Sequence, residues 1–148
     1  MIEGLSISPL RQIPDARGKV MHMLRRDSPA FTEFGEIYFS VANPSAVKGW
    51  NRHQRMILNY AVPHGRILLV LFDERPDSTT RGQTQEIYIG EDDYQLVTMP
   101  PMIWTSFKCV STVPAIVANC ASLPHDPQEV ERRAIDDPAI PYRWDASR

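Results

Sequence analysis

Residues 47–65, VKGWNRHQRMILNYAVPHG, hold the densest set of side chains in this chain that could do chemistry. If Asn51 and His53 point the same way from an extended strand, the two-residue alternation sends Trp50 and Arg52 to the opposite face. Tyr60, in the strand that follows, shares the inner face with Leu58 and Val62, and Lys48 or Arg55 stands near the mouth. An imidazole, a phenol, an amide and a cation together suit proton removal next to a carbonyl. One group takes the proton while the others hold the enolate oxygen. The same residue types also fit a filled barrel in which the histidine and tyrosine are only hydrogen-bonded. A zinc or iron centre needs three or four converging nitrogen, sulfur or carboxylate donors. One histidine does not supply them, so neither a metal nor a cofactor is expected.

The rest of the chain must position these groups. Its 148 residues are enough for a single domain, residues 1–148, with a core that needs no staples. Sixteen basic and 18 acidic residues give a formal charge of -2, which leaves no electrostatic footprint for nucleic acid or a membrane surface. Arg25 with Arg26 and Arg132 with Arg133 read as solvated faces. Cys109 and Cys120 lie in apolar surroundings and suggest buried thiols in a reducing compartment rather than a disulfide framework. No charged leader precedes a long apolar run, and no stretch approaches the roughly 20 apolar residues of a membrane helix, so a cytoplasmic protein is expected.

Thirteen prolines and seven glycines cut the chain into short extended pieces, the punctuation of an all-β sandwich or barrel. Strands are expected over residues 19–24, 35–41, 47–52, 58–62, 66–72, 84–89, 94–99, 105–108 and 115–121. The run RILLVLF is apolar on both faces, as in a central strand covered by a second sheet. Val62-Pro63-His64-Gly65 reads as a hairpin turn that would make 58–62 and 66–72 antiparallel neighbours. A short C-terminal helix is expected over 127–133, with Asp126 as its N-cap and Pro127 at its first position.

The spacing of Asn51, His53, Leu58 and Gly65 resembles the first motif of the cupins, which reads His, any residue, His, four residues, Glu, six residues, Gly. Thr105 falls where the cupins place a later histidine. Further along, Asp15-Ala16-Arg17-Gly18 resembles an early D-x-R-G turn of the RmlC-like cupins. Residues 62–75 resemble their V-x-G-x-(apolar)-D-x-R strand, and Asp137-Pro-Ala-Ile140-Pro-Tyr-Arg-Trp144 resembles D-P-x-L-x-I-x-W. These motifs occur in order over nearly the whole chain, which is similar to dTDP-4-dehydrorhamnose 3,5-epimerases and their relatives. The resemblance implies a cupin jelly-roll barrel and a metal-free epimerase or isomerase of a nucleotide-linked 4-keto-6-deoxy sugar, in deoxysugar or polysaccharide biosynthesis.

It also implies that His53 is the base and Asp137 the carboxylate that orients it. Leu58 occupies the place of a lysine in the epimerases, and no tyrosine stands within residues 119–123. A second branch, the sugar-nucleotide 3,4-ketoisomerases, is similar over Lys48-Gly49-Trp50-Asn51-Arg52-His53-Gln54 and over Glu36-Ile37-Tyr38-Phe39, which makes Tyr38 or Tyr60 the acid. Asn51 can hydrogen-bond an enolate oxygen but cannot take a proton at neutral pH. Arg17, Lys48 and Arg55 are candidate partners for a nucleotide diphosphate, and Trp104 for stacking on a base or sugar, or for the core. His22, His64 and His125 are not expected to be catalytic. A homodimer is implied, with Arg17 reaching the partner's pocket. A sugar-nucleotide binding protein without catalysis, and a metal-dependent cupin enzyme, stand as alternatives.

Overall fold

A computed structural model describes residues 1–145. The strands are β1 (Ser6–Pro9), β2 (Gln12–Asp15), β3 (Gly18–Met21), β4 (Glu36–Ala42), β5 (Val47–His53), β6 (Leu58–His64), β7 (Arg66–Asp73), β8 (Thr84–Gly90), β9 (Gln95–Met99), β10 (Ile103–Cys109), β11 (Ala115–Ala121) and β12 (Val130–Arg132). One five-stranded sheet has the order β1-β9-β6-β11-β4, and a second has the order β12-β5-β10-β7-β8. Face to face they form the jelly-roll sandwich expected of a cupin. A two-stranded hairpin, β2-β3, stands apart with Asp15 and Gly18 at its turn. No helix is long and apolar enough to cross a membrane among the described residues.

The two sheets close on a core that includes Val62, Leu69, Leu71, Ile89, Val97, Met99, Phe107 and Val117. Each such side chain contributes about 1.5–3 kcal/mol by leaving water. β7 supplies both faces of its sheet. Ile67, Leu69 and Leu71 point into the sandwich, while Leu68, Val70 and Phe72 join Trp50, Trp104 and Ile140 in a second, outer cluster. The outer face is covered by the C-terminal tail, through Ile135, Ile140, Tyr142 and Trp144, rather than by another sheet.

Two sequence expectations are corrected. Residues 62–65 do not form a hairpin: β6 lies between β9 and β11, whereas β7 lies in the other sheet between β10 and β8. Gly65, at φ +74°, turns the chain from one sheet to the other, and a Cβ there would stand 2.7 Å from the Ala115 Cα. The short helix over 127–133 is absent. Asp126 does cap a turn, its Oδ1 accepting from the Gln128 amide at 3.0 Å, but the chain then extends. Val130, Glu131 and Arg132 pair with His53, Arg52 and Asn51, because the free edge of β5 offers them a ladder that a two-turn helix could not match.

Candidate active site

The bend of β5 decides which of its side chains face inward. Thr105 pairs with Asn51 and Ser106 with Gly49, so Trp50 is an extra residue in a bulge. Gly49 permits it: its φ is +120°, and a Cβ there would meet the Ser106 Cα and the Thr105 carbonyl at 2.7 Å. Trp50 swings to the outer cluster and exchanges backbone hydrogen bonds with Arg133 of the tail, at 3.3 and 3.1 Å. The bulge also breaks the alternation below it. Lys48 pairs with Phe107, a core residue, and so faces inward like Asn51 and His53, its Nζ donating across the gap to Ser40 Oγ of β4 at 2.9 Å.

A cavity of about 330 Å³ opens where the edge strand β4 of one sheet faces β5 and the edge strand β12 of the other. Glu36 and Tyr38 line it from β4, Asn51 and His53 from β5, and Val130 and Arg132 from β12, with His125 on the connection before β12. His53 Nδ1 lies 2.9 Å from Glu129 Oε2. The other oxygen of Glu129 accepts from the backbone N–H groups of Arg55 and of Met56, the latter at 2.8 Å. Burial would raise this carboxyl, but the Arg55 amide, the His53 ring and the Met56 amide outweigh it and hold it below its ordinary value. An ionised Glu129 accepts a hydrogen bond from Nδ1–H, and in the neutral ring this tautomer carries its free lone pair on Nε2.

Tyr38 faces this pair across the cavity. Its phenol oxygen accepts from Asn119 Nδ2 at 3.0 Å, while Asn119 Oδ1 accepts from the Asn59 amide at 3.1 Å. Asn119 is wholly buried, so the phenol is held from behind and its O–H remains available to a ligand.

The structure therefore brings together His53, Asn51 and Tyr38, with Lys48 farther along the same face. It separates the others. The carboxylate at His53 is Glu129, not Asp137. Asp137 lies in the tail, where its Oδ1 accepts from the Ala139 amide at 2.8 Å. Tyr60 is in the main core rather than on the cavity wall, edge-on to Phe107 at 6.4 Å. Burial, and then the nearby Tyr38, push its phenol well above the ordinary range. Trp104 cannot stack on a ligand: it is 1% exposed, its Nε1 donates to Glu74 at 2.9 Å, and the guanidinium groups of Arg52 and Arg133 lie 4.7 and 4.4 Å from its ring centre. Arg17 sits at the exposed hairpin tip, paired with Asp15 at 2.9 Å. Arg55 borders a separate depression beside Pro124 and Asp126. No group of three or more His, Cys, Asp or Glu side chains converges on a metal position among the described residues.

Sequence reasoning missed Glu129, Glu36, Arg132 and His125 as wall or dyad residues. For Glu129 the available signal was Pro124 and Pro127, whose spacing punctuates a loop more than it opens a helix. Val130 directly after Glu129 also favours a strand.

A jelly roll of cupin type, with an imidazole and a carboxylate paired at the end of its cavity, is the class of protein these features define. The sequence profile of the dTDP-4-dehydrorhamnose 3,5-epimerase family matches residues 1–148, and the chain belongs to that family. It is 47% identical to a crystallised dTDP sugar isomerase from Desulfovibrio desulfuricans G20, with a TM-score of 0.95 over 97% of this chain and 92% of the other. It is also 30% identical to the probable low-salt glycan biosynthesis epimerase Agl13 of Haloferax volcanii, over 95% of this chain and 88% of the relative. Identity to the spore coat polysaccharide biosynthesis protein SpsL of Bacillus subtilis is 27%, over 97% of both chains.

Proposed function

We propose that the protein is an epimerase or isomerase that removes a proton next to the keto group of a nucleotide-linked, dTDP-type 4-keto-6-deoxy sugar. The observation that carries this reading is the His53–Glu129 pair at 2.9 Å in the cavity wall. The carboxylate fixes the tautomer and stabilises the imidazolium that forms, and Nε2 takes the proton from carbon. The electron pair of that bond moves onto the keto oxygen, where the Tyr38 hydroxyl and the Asn51 amide donate hydrogen bonds. Lys48 and the newly found Arg132 are the cations best placed for the diphosphate, with Arg55 beyond the 122–129 connection.

A homodimer fits the outer face of β4, where Ile37, Phe39 and Val41 are 50%, 62% and 54% exposed in one chain. Arg17, exposed at its hairpin tip beside Asp15, would exchange that ion pair for the partner's cavity.

The test is proton exchange. In deuterated water with dTDP-4-keto-6-deoxyglucose, exchange at C3 and C5 followed by NMR marks epimerase chemistry. Exchange confined to C3 with a migrated carbonyl marks a ketoisomerase. His53→Ala is expected to lower exchange by at least about 10³-fold, while His22→Ala leaves it intact. Binding of the nucleotide sugar without any exchange would make the protein a sugar-nucleotide binding module instead.

A further inference from the structure

The connection from β11 to β12, residues 122–129, crosses from the first sheet to the second over the end of the cavity. Both of its ends are tied to the same short segment before β6. Ser122 Oγ accepts from the Ile57 amide at 2.8 Å and the Ser122 amide donates to the Ile57 carbonyl at 3.1 Å. Glu129 takes the Arg55 and Met56 amides. Within the connection, Pro124 and Pro127 restrict the backbone, and the Glu129 amide donates to the Asp126 carbonyl at 3.0 Å. His125 stands between the two prolines on the cavity wall. Its exposed ring has no hydrogen bond or ion pair to another described residue. The cavity thus carries two imidazoles from different elements, one clamped by a carboxylate and one unclamped. The same eight-residue connection supplies the clamp of the first and the whole of the second.

We propose that His125 is a second catalytic residue, the acid that delivers a proton to the carbon face opposite His53 and so completes inversion. This rests on the keto-sugar reading above. In the first step the C–H bond breaks, its proton passes to His53 Nε2 and its electron pair enters the enolate. In the second an N–H bond of the His125 imidazolium breaks, the proton bonds to the same carbon from the other side, and the ring keeps the electron pair as the ketone re-forms. Solvent then removes the proton from His53 and returns one to His125. Near neutrality an imidazolium is a much stronger acid than a phenol, and imidazole is the side chain that both gives and takes protons there. Tyr38, braced by Asn119, is the better donor to the oxygen and the poorer donor to carbon.

The experiment follows deuterium in dTDP-4-keto-6-deoxyglucose with wild-type protein, His125→Ala and His125→Gln. Wild-type protein is expected to place deuterium in the inverted product while the remaining substrate stays largely protonated. Both variants are expected to form product at least about 10²-fold more slowly. Deuterium should meanwhile accumulate in their unreacted substrate, because His53 still removes and returns a proton on one face. Added imidazole should restore product formation by His125→Ala, since the site is open to solvent. Turnover within about threefold of wild type in either variant would overturn the proposal. So would a parallel loss of exchange and turnover that imidazole does not repair, which would make His125 a shaping residue only. Absence of exchange in wild-type protein would remove the keto-sugar reading, and the proposal with it.

Discussion

At the scale of single residues, the central feature is a glutamate that does two jobs. One oxygen of Glu129 holds two consecutive backbone N–H groups, and the other holds the imidazole. Glu129→Gln separates them. The amide oxygen can still accept from Arg55 and Met56, but the NH2 group then faces His53 Nδ1 and favours the tautomer that carries its proton on Nε2. The expected result is a fall in kcat of about 10³–10⁴-fold with little change in KM, read from steady-state kinetics, as befits a wrongly protonated base. Asp137→Asn should leave both constants near wild type, because that carboxylate serves a local turn in the tail.

At the scale of elements, the bulge in β5 sorts the wall of the site. Without it, Lys48 would share a face with Trp50; with it, Lys48, Asn51 and His53 all face the sandwich. Gly49→Ala must place a Cβ 2.7 Å from backbone atoms of β10 at a φ of +120°. It is expected to cost about 2–3 kcal/mol in denaturant unfolding and to weaken nucleotide-sugar binding in calorimetry, since Lys48 and Asn51 both move. β12 is the second decisive element. Three residues of edge pairing with His53, Arg52 and Asn51 replace the expected helix and bring Arg132 to the cavity.

For the whole molecule, stability at low pH and assembly are both open to measurement. Burial opposes ionisation of Asp73, but hydrogen bonds from Arg75, Ser78 and Thr80 hold its carboxyl well below the ordinary range, and Glu129 is likewise lowered. A lowered folded-state value means that the unfolded chain binds protons first as pH falls. The stabilisation from these two groups is therefore complete above their ordinary values of 3.8 and 4.5 and is lost as pH drops through and below them. The Tm of the wild-type protein should fall steeply below pH 4.5, and Glu129→Gln should show a shallower fall in that window from a lower plateau. Sedimentation velocity should find wild-type protein at twice 16.9 kDa. Phe39→Glu, which puts a charge in the centre of the exposed β4 face, should shift it to monomer.

Strand content and the shared face of Asn51 and His53 were legible in the sequence, because alternation and turn residues act over a few positions along the chain, and the resemblance of ordered motifs added the jelly-roll class. The same local signals misread residues 62–65, since a turn does not say which sheet receives the next strand. They could not tell that the second apolar face of β7 is covered by the tail, because an apolar run has the same pattern whatever packs on it. Nor could they choose between Glu129 and Asp137, or bring His125 to the wall. Those placements depend on an edge strand 77 residues further on, where Val130 meets His53. Only the closed sandwich decides such pairings, because the hydrogen bonds that fix Glu129 come from residues 53, 55 and 56, far from it in the chain and adjacent to it in space.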